Sequence, residues 1–165
     1  NCKAAEKGGR ELTNRQSGAA RIEIRKLQIR EYDKMIECWN KSELHIKVKG
    51  RESEESIKKE INFAGASFIG AFDRKNGKLI GLAIGNYDGR RGWINRLAVL
   101  PGYRKQGVAA ELITRLETFL KKKGAKVIAA LIDRENTASR KLFEKNGYSN
   151  NENILYYSKR ESPDV

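Results

Sequence analysis

The spacing of hydrophobic and polar residues divides the chain into strands and helices. Residues 21–27 alternate polar and apolar side chains, which predicts a half-buried strand. Apolar positions one helical turn apart predict helices over residues 29–41, 54–63, 106–123 and 137–146. Short apolar runs bounded by turn residues predict the remaining strands, over residues 66–73, 78–87, 92–100, 126–132 and 154–158.

The order of these elements predicts a mixed α/β (α+β) fold in a single domain. Three strands follow one another across the turn-rich segments 75–77 and 88–91, as in an antiparallel meander. A strand, loop and helix crossover comes next and leads to a further strand of the same sheet. We therefore assign one domain to residues 21–165. Residues 1–20 show no period, and we interpret them as a flexible tail or an artificial extension.

The charge and the composition of the chain restrict the classes of function that it can have. The 34 Lys and Arg side chains outnumber the 21 Asp and Glu side chains, and the net charge of +13 predicts an anionic partner. Cys2 and Cys38 form no Cys-x-x-Cys pair, and His45 is the single histidine, so we expect no metal site. No apolar run approaches the roughly 18 to 20 residues of a membrane span. We expect a soluble protein of the reducing cytoplasm without a membrane partner.

The segment that follows the strand at 92–100 has the properties of an anion site. A helix start offers four main-chain N–H groups without intrahelical partners at the positive end of the helix dipole. Gly107 and Ala109 lack bulk, so phosphate oxygens can approach these amides, and Arg104 and Lys105 add positive charge. The segment matches neither a Walker loop nor the Gly-x-Gly-x-x-Gly of dinucleotide binders. Taken alone, the segment is therefore either an ordinary turn at Pro101-Gly102 or a turn that binds a pyrophosphate.

Two strings of this sequence resemble motifs of one enzyme family. Leu97-Ala98-Val99 followed by Arg104-x-x-Gly107-x-Ala109 resembles motif A of the GNAT superfamily of N-acetyltransferases. The string NTASRKLFEKNGY at residues 136–148 is similar to the family's Asn-x-x-Ala/Ser-x-x-Leu-Tyr-x-x-x-Gly-Phe/Tyr block. The resemblance implies the GNAT fold, a mostly antiparallel twisted sheet with a central parallel strand pair and helices on both faces. It also implies acetyl-CoA as the acyl donor and direct transfer of the acetyl group to an amine.

The resemblance further implies where the acyl donor lies. The main chain of Leu97 and Val99 holds the pantetheine arm like an added strand, and one of these amides polarises the thioester carbonyl. Residues 104–110 take the pyrophosphate. Asn136 hydrogen-bonds the pantetheine arm, a role that is compatible with capping the helix that it precedes. The implied cofactor-binding residues are Leu97, Ala98, Val99, Arg104, Lys105, Gln106, Gly107, Val108, Ala109, Ala110, Asn136, Ser139 and Phe143.

The acid and base of the reaction depart from the family pattern. Phe143 stands where many relatives have a tyrosine acid, but a thiol pKa near 8.5 makes expulsion of a free thiolate at pH 7 cost only about 2 kcal/mol. The strand positions of the usual base hold Trp93 and Asn95. Asn95 is our candidate catalytic residue because its side chain can position a water, and His45 or Asp88 are alternative bases.

The missing base bears on the acceptor. Neutralising a lysine amine at pH 7 costs about 4.6 kcal/mol, against about 1.4 kcal/mol for an α-amine with a pKa near 8. We therefore predict that the acceptor is a weakly basic or α-amino nitrogen, on a small molecule or a protein N-terminus.

Two other function classes stay open at this point. Nucleic-acid binding would use the positive charge, but the basic residues are spread along the chain, and no RNA-binding aromatic motif or helix-turn-helix signature is present. A GNAT fold that binds acyl-CoA without transferring the acyl group is compatible with Phe143 and Asn95. Incubation with acetyl-CoA and a panel of amines separates an enzyme from such a binding module. The sequence also leaves a homodimer open.

Overall fold

The computed structural model describes residues 21–161, so the predicted tail at 1–20 and the end of the domain at 162–165 lie outside the described residues. The strands are β1 (Ile22–Lys26), β2 (Ala66–Asp73), β3 (Lys78–Tyr87), β4 (Gly92–Val99) and β5 (Ile128–Ala129). The helices are α1 (Tyr32–Lys41), α2 (Glu54–Ile61), α3 (Val108–Lys123) and α4 (Thr137–Lys145), with 3-10 turns at Ile29–Glu31 and Pro101–Tyr103. As far as α4, the elements follow the predicted order.

The strands form a mixed sheet in the order β1-β2-β3-β4-β5. Neighbours from β1 to β4 are antiparallel, and β4 and β5 are parallel. The predicted meander, the crossover through α3 and the mixed α/β class are therefore confirmed. One detail of the prediction is wrong, because the parallel pair lies at the edge of the described sheet and not at its centre.

The predicted last strand at 154–158 is not formed. Its four consecutive apolar side chains are all exposed, up to 85% for Tyr157, and no main-chain bond pairs them with another strand of the described chain. Because Ile154-Leu155-Tyr156-Tyr157 does not alternate with polar residues, its pattern favours neither face for burial. A strand also needs a neighbour for its main-chain groups, and here it has none.

Two other elements are shorter than the pattern predicts. The helix expected from residue 106 begins at Val108, because Gly107 has a φ of 84° and stands outside the helix as its N-cap. The strand expected over 126–132 is limited to Ile128–Ala129. Beyond Ala129 the chain leaves β4, so the apolar residues that follow have no ladder to join.

Helices cover the sheet on both faces, as predicted. Every residue of β2 is buried, which requires cover on each side. Gly85 of β3 faces α3, since a Cβ at this position would lie 2.9 Å from a methyl carbon of Leu116. The next residue, Asn86, points to the opposite face and hydrogen-bonds Glu60 of α2. Within residues 21–161, no helix is both long enough and apolar enough to cross a membrane.

Candidate active site

Strand β4 carries a bulge. Ala98 pairs with Leu82 and Asn95 pairs with Ile84, so β4 has one residue more than β3 between these two pairs. Arg96 accommodates the extra residue with a φ of 53°, in the left-handed region that costs a side-chain-bearing residue about 1 kcal/mol or more. The ladder to β3 is interrupted there, and other groups must hold the main chain in this conformation.

Polar contacts from α1 and from the connection between α1 and α2 hold the bulge. Trp39 Nε1 donates to the Arg96 carbonyl oxygen at 3.1 Å. The Arg96 guanidinium donates to one carboxylate oxygen of buried Glu52 and, at 3.2 Å, to the His45 carbonyl oxygen. The other carboxylate oxygen of Glu52 accepts the Lys47 main-chain N–H at 2.7 Å. Glu52 therefore ties the connection before α2 to the bulge of β4.

A gap opens between the parallel strands. Ile128 and Ala129 of β5 pair with β4, and after Ala129 no main-chain bond joins the two segments within the described chain. The Leu100 N–H donates to β3. Because the main-chain groups of successive residues point to opposite edges of a strand, those of Val99 point away from β3 and toward the gap. Leu97, two residues earlier, faces the same edge. An extended molecule in the gap thus meets main-chain groups of β4 that have no strand partner.

The loop from β4 to α3 contains a run of main-chain N–H groups that lack acceptors in the described chain. Six consecutive amides, from Lys105 to Ala110, donate to no acceptor among the residues that the structure describes. Lys105 at φ 60° and Gly107 at φ 84° take left-handed conformations that curve the loop. The loop leads into α3, so these donors sit at the positive end of a helix dipole. Such a curved set of amides at a helix start binds phosphate oxygens.

The two charged side chains of the loop differ in their contacts: Arg104 is hydrogen-bonded to main-chain oxygens, whereas Lys105 is exposed. Arg104 Nε donates to the Val99 carbonyl oxygen at 3.0 Å, and a terminal nitrogen donates to the Ser42 carbonyl oxygen at 3.1 Å. Arg104 therefore fastens the loop to the end of β4, an arrangement that the sequence did not indicate. Lys105 is exposed and has no partner in the described chain, so its ammonium group can meet an anion.

The second motif forms α4 and the turn after it. Asn136 Oδ1 accepts the Ser139 main-chain N–H at 3.0 Å, so the predicted cap of this helix is present. Phe143 is buried edge-on against Tyr148, with ring centroids 4.9 Å apart. The Tyr148 hydroxyl donates to Glu117 at 2.9 Å, and burial together with this carboxylate raises the pKa of Tyr148. The Tyr148 hydroxyl proton is therefore shared with Glu117.

The candidate catalytic residue Asn95 belongs to a polar chain that the sequence did not predict. Asn95 Nδ2 donates to Asn86 Oδ1 at 3.0 Å, and Asn86 Nδ2 donates to a Glu60 carboxylate oxygen at 2.8 Å. Asn95 lies beside the bulge on the face of the sheet that α2 covers. A pairing across 26 residues, as between Glu60 and Asn86, leaves no signal in local sequence.

The two alternative bases, Asp88 and His45, differ in their contacts with the rest of the chain. The Asp88 carboxylate accepts the main-chain N–H groups of Arg91 and Arg90 and, at 2.8 Å, Nε1 of Trp93. These hydrogen bonds, the one from Arg91 foremost, lower the pKa of Asp88 to about 2, so this carboxylate is a poor proton acceptor at neutral pH. His45 is exposed, and its contact with the bulge is made by its main-chain oxygen.

An open recess of about 500 Å³ borders the polar chain. Asn86 belongs to both, so a molecule in the recess can reach the side chain that holds Asn95. The residues that line the recess are Phe63, Ala64, Gly65, Asn86, Tyr87, Asp88, Gly89 and Lys123.

The site thus combines a parallel pair that separates after Ala129, a bulge in one strand of that pair and a curved set of amides at the start of the next helix. The sequence profile of the Acetyltransferase (GNAT) family matches residues 23–148. An acetyltransferase of Sodalis glossinidius (strain morsitans) is 30% identical over 139 residues, which are 84% of this chain and 95% of that protein. The crystal structure of the PaiA N-acetyltransferase from Thermoplasma acidophilum in complex with coenzyme A has a TM-score of 0.67 and 25% identity, covering 76% of this chain and 87% of that chain.

The chain belongs to the GNAT family of acetyltransferases. It is an acetyl-CoA-dependent N-acetyltransferase, and acetyl-CoA is its acyl donor. The predicted family, fold class and donor are thereby confirmed. The roles of individual residues and the identity of the acceptor stay predictions.

Proposed function

We propose that the amides of residues 105–110 bind the diphosphate of acetyl-CoA and that the pantetheine arm lies along the free edge of β4. The observation that carries this proposal is the run of six amides without acceptors at the start of α3. The 3-10 turn Pro101–Tyr103 connects that run directly to the end of β4, so one elongated molecule can contact both. Lys105 adds an ammonium group beside the diphosphate.

The reaction forms a C–N bond and breaks the thioester C–S bond. CoA leaves as the thiolate, and the acceptor nitrogen loses one proton. A main-chain N–H of Leu97 or Val99 on the free edge of β4 suits the thioester oxygen, whose negative charge grows during the attack. Because Phe143 offers no proton, the thiolate leaves unprotonated, which costs about 2 kcal/mol at pH 7.

The proposed acceptor is a weakly basic or α-amino nitrogen of a small molecule or a protein N-terminus, which arrives as the free amine. This proposal is supported by the properties of the candidate groups for proton removal. Asn95 and its partner Asn86 do not titrate, and Asp88 is held ionised by its hydrogen bonds. A weakly basic or α-amino nitrogen loses its proton at pH 7 at a cost of about 1.4 kcal/mol or less and needs no strong base, whereas a lysine amine does.

The pH dependence of kcat/KM tests the acceptor class. With α-amino acceptors we expect kcat/KM to rise to about pH 8 and then level off, because the pKa of the amine sets the neutral fraction. At pH 7, alkyl amines of the lysine type should show a kcat/KM roughly two hundred-fold lower, from the difference in amine pKa alone. Thiol release from acetyl-CoA measures both. Turnover of lysine-type amines only, with kcat/KM still rising steeply to pH 10, would contradict the proposal.

We also propose a homodimer formed through the exposed segment 154–157. Its four apolar side chains are each at least 68% exposed. Unpaired, apolar extended segments favour pairing with another chain, and two identical segments can pair about a twofold axis. We expect light scattering after gel filtration to give a dimer for this protein and a monomer for Leu155→Asp. A monomeric unmodified protein, or a Leu155→Asp variant that stays dimeric, would exclude this interface.

A cytoplasmic location is the remaining proposal. Cys38 is free and buried in α1, and burial raises the pKa of its thiol to about 11. Free cysteines without disulfide partners are typical of a reducing compartment, where acetyl-CoA is also used.

A further inference from the structure

The hydrogen bonds of the polar chain have a fixed direction. Asn86 stands between Glu60 on α2 and Asn95 on β4, and all three side chains are half-buried. A carboxylate has no hydrogen to donate, so the Asn86 NH2 group must face Glu60. Its oxygen therefore faces Asn95, and the Asn95 NH2 group must face Asn86.

This order leaves one atom of Asn95 unused. The Asn95 Oδ1 accepts no hydrogen bond from the described residues. Asn95 precedes Arg96, the bulge residue of β4, and lies on the face of the sheet opposite α3. If the main-chain edge of β4 holds the thioester, this oxygen is an acceptor close to the nitrogen that attacks it.

We propose that Glu60 is a positioning residue which, through Asn86, holds the Asn95 amide with its oxygen toward the acceptor amine. The inference rests on the proposed function, in which a neutral amine attacks the thioester beside the bulge. A neutral primary or secondary amine has an N–H to donate, and donating it to Asn95 Oδ1 directs the nitrogen lone pair away from Asn95. The site is thereby selective for a nitrogen that carries at least one hydrogen. Tertiary amines lack that donor.

The Glu60→Gln variant tests the direction of the chain. A glutamine amide can donate as well as accept, so the chain can run in reverse and turn the Asn95 NH2 group toward the acceptor. Two N–H groups then face each other. We expect kcat/KM for α-amines to fall about tenfold through the KM for the amine, while the KM for acetyl-CoA stays within about twofold. Glu55→Gln removes a carboxylate from the same helix, where Glu55 forms an exposed ion pair with Lys59, and it should leave both KM values unchanged.

A double variant provides the sharper test, because it exchanges the carboxylate of Glu60 and the amide of Asn86. In Glu60→Gln with Asn86→Asp, the glutamine donates to the aspartate, and the aspartate can only accept from Asn95. The net charge equals that of the unmodified protein, and Asn95 regains its orientation. We expect the double variant to recover most of the loss in amine KM. A Glu60→Gln variant without a selective rise in amine KM, or a double variant no better than Glu60→Gln, would overturn the inference.

A measurement without acceptor separates this inference from the proposed function. The side-chain NH2 resonances of Asn95, assigned by their loss in Asn95→Asp, should shift in Glu60→Gln and return in the double variant. Resonances that do not move would overturn the positioning role whatever the acceptor is. If they move as expected but only lysine-type amines react, the proposed acceptor class fails while the hydrogen-bonded chain stands.

Discussion

Replacement of Gly107 by glutamate should raise the KM for acetyl-CoA at least about tenfold, which corresponds to about 1.4 kcal/mol of lost binding free energy. The new carboxylate stands among the unpaired amides of residues 105–110, where it occupies donors and repels the diphosphate. Steric conflict inside the protein does not contribute, because a Cβ at Gly107 meets no atom within 4 Å. Gly107 has a φ of 84°, so part of the cost is strain in the loop.

A second glycine separates charge from strain. Gly147, after α4, has a φ of 86°, and a Cβ there also meets nothing within 4 Å. Gly147→Glu carries the same strain and the same charge away from the loop, and we expect its KM for acetyl-CoA to stay within about twofold. Titration calorimetry with CoA gives the affinities directly. Equal CoA affinity in Gly107→Glu and the unmodified protein would mean that the diphosphate binds elsewhere.

Helix α3 and the loop before it could be predicted from the sequence because their determinants are local. Helical spacing from Val108 onward, small residues before it and Gly124 after it all lie within one short stretch, and the structure has α3 in that place. The meander was predictable for the same reason, since its turns at 75–77 and 88–91 link neighbouring strands.

Elements that depend on distant partners were predicted less well. The run at 126–132 has the composition of a buried strand, yet its paired part is limited to Ile128–Ala129. After Ala129 the chain diverges from β4, and the rest of the run has no strand beside it in the described chain. The segment 154–158 has strand-forming side chains but no neighbour in the described chain. Composition describes what a segment can form, and pairing decides whether it forms.

The candidate site also contains residues that local sequence specifies and residues that depend on distant partners. Residues that we propose bind through their main chain, such as Val99 and Gly107, could be predicted because the motif specifies the backbone. Side chains that act through partners far along the chain were missed, as with Glu52 and Arg96, which lie 44 residues apart. Glu52 stands in a polar connection, where a buried acid cannot be told from an exposed one by sequence alone.

Replacement of Glu52 by glutamine should lower both stability and kcat. The variant keeps the shape of the side chain but leaves the Arg96 guanidinium, which is only 21% exposed, without its counter-ion. Removing one partner of a buried ion pair costs about 3 to 5 kcal/mol, and partial exposure of Arg96 reduces this to about 2 kcal/mol. For a chain of this size we expect Tm to fall by about 4 to 8 °C, measured by thermal unfolding.

The loss of kcat follows from the conformation of Arg96. Its φ of 53° is unfavourable, and the contact with Glu52 and the hydrogen bond from Trp39 offset the strain. When the bulge relaxes, the amides of β4 move relative to the thioester, and a shift well under 1 Å can reduce kcat by roughly tenfold. CoA affinity should change little, because the amides of the loop are untouched.

Glu37→Gln is the matched control for this variant. Glu37 forms an exposed ion pair with Lys41 on α1, so its loss should change Tm by less than about 2 °C and leave kcat unchanged. Activities must be compared well below the lower Tm, so that both variants are folded. A Glu52→Gln variant that matches Glu37→Gln in Tm, or that unfolds earlier but keeps full kcat, would show that the bulge holds its conformation without Glu52. In the expected case, one buried carboxylate couples the connection between α1 and α2 to the strand that carries the reaction.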